Sequence, residues 1–240
     1  MNKKYKKIIL IHGWGFNSSI WNNVIENSIY GSQMHPLNIY AEARESGTNI
    51  NSITNSIANK HPDLDCIVGW SMGCYFANAL SKISKKLPIV YVSFLPSFDN
   101  FSELGCGFTK KEVENLYDDL NKDFLNTIKK FYIMCIGKKN INFIKQFINT
   151  AYSLEKNYSH EVKESLAFIK KDFINFEIRK NKCIFIYGDD DNLCNDFYSN
   201  KIISQFDKKI IKGGSHALFV DKNKEFIDVL KSSKHSFKYT

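Results

Sequence analysis

No CxxC pair occurs in the sequence. Its six cysteines, Cys66, Cys74, Cys106, Cys135, Cys183 and Cys194, lie far apart, so spacing supports neither a zinc cluster nor dithiol redox chemistry. Several stand inside apolar runs and read as buried thiols. That usage suits a reducing cytosol, and the expected location is cytoplasmic. Long hydrophobic runs are also missing. The first, Ile8–Ile11, is too short for a signal peptide or a membrane span. Low-complexity linkers and internal repeats are absent, so the 240 residues can form one domain, or one core with an insertion. No nucleic-acid-binding motif accompanies the net charge of +8, and the lysines are scattered along the chain except for a cluster at Lys3, Lys4, Lys6 and Lys7, which argues against a nucleic-acid partner. A basic surface is often merely solvated. If it has a partner, that partner is acidic, because positive charge steers anions toward it.

What is present is an alternation of short apolar runs and helical periodicities. "KIILI" ends in His-Gly and reads as a buried strand; residues 37–40 are a weaker strand candidate. Ile50, Ile53 and Ile57 recur at helical spacing. Residues 66–68 form the next strand, closed by Gly69, and Met72, Phe76, Ala79, Leu80 and Ile83 mark the helix behind it. "PIVYVSFL" is a further strand, closed by Pro96. From residue 97 to 180 the character changes. Thr109 and Glu112 have capping-box spacing, and apolar residues from Val113 to Phe131 follow at helical intervals. Further helical runs cover 143–154 and 162–174, with no strand among them. "KCIFIYG" returns to a strand, Lys208–Ile211 is another, and residues 222–230 form a last helix. Strands alternating with helices predict a mostly parallel sheet covered on both faces. The expected division is an α/β core of residues 1–96 and 181–240, interrupted by an all-helical insertion at 97–180.

The chemistry concentrates at "VGWSMGC". Gly69-Trp70-Ser71-Met72-Gly73 stands between a strand and a helix, the G-x-S-x-G pattern of a nucleophile elbow. Such a turn lifts the Ser71 hydroxyl out of the sheet beside a helix N-terminus, where developing negative charge is favoured. A serine hydroxyl needs a general base, and the base an orienting acid. His216 in "KGGSHALF" follows the last strand on a glycine-rich loop. "FIYGDDDNL" supplies Asp189, Asp190 and Asp191; Asp191 is the first candidate for the acid, because a glycine three residues earlier gives the chain room to turn, and Asp190 is the second. The order Ser, Asp, His fits the elbow arrangement. Oxyanion donors are expected from the Met72 N–H and, in "LIHGWGFNSSIW", from the Trp14 N–H between Gly13 and Gly15. His12 reads as a brace for that loop. Trp14 and Trp70 would wall a pocket, or simply pack in the core.

These blocks resemble the α/β-hydrolases, and more narrowly the pimeloyl-[acyl-carrier protein] methyl ester esterases of biotin synthesis. "LIHGWGFNSSIW", "VGWSMGC", "IYGDDDNL" and "GGSHALF" carry the resemblance. It implies Ser71 as nucleophile, His216 as base, Asp191 as acid, Trp14 and Met72 at the oxyanion hole, and Trp14, Trp70 and Leu193 at substrate-binding positions. It implies no cofactor and no metal. It also implies that residues 97–180 form a helical cap whose basic residues dock an acidic acyl carrier protein; Lys110, Lys111, Lys129, Lys130, Lys138 and Lys139 are the candidates. The sequence departs from the family in having "LNIYAEARESG" where a glycine-rich loop ending in serine is usual, and Cys74 where a glycine follows the elbow. The expected activity is carboxylic ester hydrolysis through an acyl-enzyme. The alternatives are another cap-bearing hydrolase (a short-chain esterase, a thioesterase or a carbon–carbon bond hydrolase) and a non-catalytic binding protein on this scaffold.

Overall fold

A computed structural model describes residues 7–84, 87–95, 107–170 and 182–233. Six strands form one sheet: β1 (Ile8–Ile11), β2 (Met34–Leu37), β3 (Cys66–Trp70), β4 (Ile89–Val92), β5 (Cys183–Gly188) and β6 (Lys208–Ile211), in the order β2-β1-β3-β4-β5-β6. All five pairings are parallel. Every residue of β1, β3, β4 and β5 is buried. Strands covered on both faces have no need of polar alternation, and these read as unbroken apolar runs. The edge strands β2 and β6 carry the exposed positions.

The helices that flank the sheet are α1 (Asn22–Asn27), α2 (Ile39–Ser46), α3 (Ile50–Lys60) and α4 (Gly73–Ile83). Between β4 and β5 come α5 (Lys110–Lys122), α6 (Phe124–Ile136), α7 (Ile141–Gln146), α8 (Ile148–Glu164) and α9 (Leu166–Lys170), with no strand among the described residues. Between β5 and β6 comes α10 (Lys201–Ser204), and after β6 come α11 (Leu218–Asp221) and α12 (Asn223–Ser233). Three expectations need correction. The strand expected at 37–40 lies earlier, because Asn38 is a helix cap whose side chain accepts the Tyr40 N–H and starts α2; the "LNIYAEARESG" segment is therefore largely helical. The run from Val113 to Phe131 is two helices, broken at Asp123, which caps α6 by accepting the Asn126 N–H. The run at 143–154 breaks at Phe147, between α7 and α8. The capping box is present as read, with Thr109 and Glu112 bonded reciprocally. Lys3, Lys4, Lys6, Pro96, Cys106, residues 171–174 and the division points at 96–97 and 180–181 lie outside the described residues.

Among the contacts that join the helical segment to the core, two come from α2 and from the loop after β1. Arg44 of α2 grips Glu161 of α8 with its Nε at 2.7 Å and a second nitrogen at 2.9 Å from the two carboxylate oxygens. The Trp14 indole N–H donates to the Val162 carbonyl at 2.9 Å. Among the described cysteines, Cys66, Cys74, Cys135, Cys183 and Cys194 are buried. No described helix is long and apolar enough to cross a membrane.

Candidate active site

β3 delivers Ser71 to the tip of the sheet, and the chain turns there at a φ of +53° into α4. This left-handed conformation is costly for a serine. The flanking glycines make the turn sterically possible. A methyl group at Gly69 would stand 2.7 Å from the Gly73 carbonyl oxygen and 2.9 Å from the Ala77 Cβ. One at Gly73 would overlap the Ile11 carbonyl oxygen and lie 2.8 Å from that of His12. The Ser71 N–H donates to the Val92 carbonyl at 2.9 Å, tying the turn to β4.

Three side chains far apart in sequence converge at this tip. His216 Nε2 is 2.9 Å from Ser71 Oγ. His216 Nδ1 is 2.9 Å from one Asp191 carboxylate oxygen and 3.1 Å from the other. All three residues are buried. Asp191 also accepts the N–H groups of Leu193 and Cys194, each at 2.9 Å. Burial pushes its carboxyl upward, but the facing His216 and these hydrogen bonds outweigh that and hold it below the usual carboxylate range. Asp189 and Asp190 are exposed. The first accepts the Gly213 N–H, and the second faces Lys139 at 3.9 Å. An Nδ1–H donated to Asp191 leaves the His216 Nε2 lone pair facing the Ser71 hydroxyl, the arrangement that lets a histidine take a proton from a serine.

The loop after β1 is fixed from several sides. His12 Nδ1–H donates to the Gly13 carbonyl at 2.7 Å, and Nε2 accepts the Ile39 N–H at 3.0 Å. Burial is the main cause that lowers its pKa to about 4; the bonds to Gly13 and Asn38 oppose it. A neutral, doubly bonded imidazole serves as a brace. The Gly15 N–H donates to the Tyr40 hydroxyl at 2.8 Å. Trp14 is buried with its ring edge-on to Phe131, centroids 4.7 Å apart. Met72 follows Ser71 at the start of α4, buried. Trp70 packs against Phe16 and Phe219, and its indole N–H donates to the His216 carbonyl at 2.8 Å. Leu193 is buried beside the Asp191 carboxylate.

Four residues near this site carried no signal in the sequence. Ser93, just after β4, donates its hydroxyl to the His216 carbonyl at 2.8 Å. Tyr40 holds the Gly15 amide. Cys194 Sγ lies 3.7 Å from His216 Nδ1. Asp221 accepts the Ser215 hydroxyl at 2.9 Å and its N–H at 3.2 Å; burial raises its carboxyl to about 6. Asn140 donates to the same carboxylate at 3.2 Å, and the Ala217 N–H donates to the Cys135 carbonyl, so the helical segment contacts the chain after His216 at two points. Among the described residues, Asp191, Cys194 and His216 are the group close enough to hold a metal ion; their hydrogen bonding to one another already accounts for that proximity. Beside them opens a cleft of about 530 Å³ lined by Lys130, Lys138, Lys139, Met134, Asn192 and Ser215, among others.

No protein-family model matches the chain. A curated relative, the pimeloyl-[acyl-carrier protein] methyl ester esterase of Wigglesworthia glossinidia brevipalpis, is 29% identical over 248 residues, covering 93% of this chain and 92% of its own. The protein of the same name from Legionella pneumophila (strain Corby) is 28% identical over 138 residues, 57% of each chain. Among solved structures, an esterase from Exiguobacterium antarcticum superposes with a TM-score of 0.77, covering 98% of this chain and 93% of its own at 16% identity.

Proposed function

We propose that this chain, which has the α/β-hydrolase fold, is a cytoplasmic serine carboxylesterase acting on the methyl ester of pimeloyl-[acyl-carrier protein], as the names of its relatives suggest. The observation that carries the hydrolase reading is the hydrogen-bonded series from Ser71 through His216 to Asp191. The substrate reading rests on the full-length similarity to the Wigglesworthia protein.

In this mechanism His216 Nε2 takes the Ser71 proton as Oγ attacks the ester carbonyl. Asp191 keeps the imidazole in the right tautomer and offsets its charge once protonated. The Met72 and Trp14 amides receive the oxyanion, each worth about 3 kcal/mol in comparable sites. The tetrahedral intermediate collapses as His216 returns the proton to the leaving methoxide, releasing methanol and leaving the acyl group on Ser71. Water, deprotonated by His216, then attacks the acyl-enzyme, and His216 passes that proton to Ser71 Oγ as the acyl–oxygen bond breaks and the free acid leaves. Trp14, Trp70 and Leu193 border the acyl chain in this reading. The helical segment at 97–180 acts as a cap, and its lysines meet the acidic carrier protein. The cleft that brings Lys130, Lys138 and Lys139 close to Ser215 supports that docking face.

The test compares turnover of pimeloyl-carrier methyl ester with that of a free short-chain methyl ester. At least a hundredfold preference in kcat/KM for the carrier-linked ester is expected. Equal rates would leave an esterase of another substrate class. Growth of a biotin-requiring strain lacking its own esterase, restored by the wild type and not by Ser71→Ala, checks the pathway.

A further inference from the structure

Three described non-glycine residues have a left-handed backbone: Ser71 at φ +53°, Ser93 at +48° and Asn195 at +41°. Each lies against a different member of the catalytic series. Ser71 is the serine itself. The Asn195 N–H donates to the Asp191 carbonyl at 2.8 Å. Ser93 donates its hydroxyl to the His216 carbonyl at 2.8 Å. Backbone strain of this kind persists where the surrounding structure over-determines it, and it gathers at working sites.

We propose that Ser93 is a positioning residue for the base: its hydroxyl, together with the Trp70 indole, anchors the main chain of His216 and so sets the distance from imidazole to nucleophile. The inference rests on the reading of Ser71 and His216 as nucleophile and base. The His216 carbonyl is held from two sides, by Trp70 at the end of β3 and by Ser93 at the end of β4, both at 2.8 Å. Those two strands pair directly, so both donors sit on the rigid centre of the sheet that also carries Ser71. Ser93 is itself fixed. Its N–H donates to the Ile186 carbonyl of β5 at 2.9 Å, and the Cys194 thiol donates to its carbonyl at 3.5 Å. The histidine loop, by contrast, comes off the edge strand β6 and has to be located by contacts of this kind.

The choice of residue points the same way. Glycine would adopt a φ of +48° freely. Serine is strained there, and what it adds over glycine is a hydroxyl, which donates to the His216 carbonyl. Ser93 touches no reacting atom. Its effect passes through the placement of His216, and a misplacement of about 1 Å can cost on the order of a hundredfold in rate.

The experiment measures kcat, KM and thermal midpoint for Ser93→Ala and Ser93→Gly on a soluble short-chain ester. Both variants lose the hydroxyl, and only the glycine variant also relieves the strain. We expect kcat to fall about tenfold in both, with KM within twofold of wild type and the glycine variant melting above the alanine variant. Activity and stability then part company, which a purely structural role does not produce. Wild-type kcat in either variant overturns the inference, as does a kcat loss that follows the thermal midpoint. Ser71→Ala is run alongside. If it is inactive while the Ser93 variants are fully active, the positioning role alone fails; if it retains activity, the reading of the site fails with it.

Discussion

His216 Nε2 stands 2.9 Å from Ser71 Oγ across 145 residues of chain. β3 brings the serine to the sheet tip, and the loop after β6 brings the imidazole. Neither side chain is exposed, so the pair is preorganised and needs no movement to meet.

The acid can be tested by isosteric substitution. Asp191→Asn keeps the size of the side chain but removes the charge that fixes the imidazole tautomer. Its kcat should fall about 10⁴-fold, measured on any ester the wild type turns over. Asp190→Asn should stay within twofold of wild type, since Asp190 is exposed and faces Lys139. The opposite ranking would exchange their roles.

The turn into α4 should be intolerant of side chains. Gly73→Ala has to push a methyl group against main-chain carbonyls of Ile11 and His12, which belong to the sheet and the loop following it. Overpacking against backbone of this kind costs about 3 kcal/mol, and chemical denaturation will show it as a lowered midpoint at unchanged slope. Stability within experimental error of wild type would mean that the turn is less crowded than the geometry requires.

His12 gives the fold a pH dependence. Its folded pKa of about 4 lies below the ordinary 6.5, chiefly through burial. Between those values the unfolded chain binds a proton that the folded chain does not, so stability falls as pH drops through this window. The contribution at full extent is on the order of 3 kcal/mol. His12→Gln keeps an acceptor for the Ile39 N–H and removes the titration. The stability difference between wild type and variant should therefore move in favour of the variant on going from pH 7 to pH 4. A difference that stays constant with pH would show that His12 is not buried neutral.

The elbow, the acid loop and the histidine loop were legible in the sequence because each is written in a few adjacent residues. The glycines at 69 and 73, the aspartates after Gly188 and the glycines before Ser215 are local requirements of a turn. The central strands were legible because burial on both faces leaves an apolar run. Helix boundaries were less so: Asn38, Asp123 and Phe147 end or begin elements through caps and breaks that apolar periodicity does not register. Ser93 and Tyr40 were out of reach for another reason. Ser93 acts on a carbonyl 123 residues away and Tyr40 on an amide 25 residues away, and nothing in the neighbouring sequence distinguishes either from a packing residue. Among the three aspartates, the spacing from Gly188 already ranked Asp191 first and Asp190 second, and the fold buries Asp191 against His216 while leaving Asp189 and Asp190 exposed.

The most direct test of the account is methanol release from pimeloyl-carrier methyl ester by wild type and Ser71→Ala, with the melting curve of each recorded in parallel. The account predicts turnover by the wild type and none above background by the variant, at an unchanged thermal midpoint. Methanol release by Ser71→Ala at the wild-type rate would contradict it.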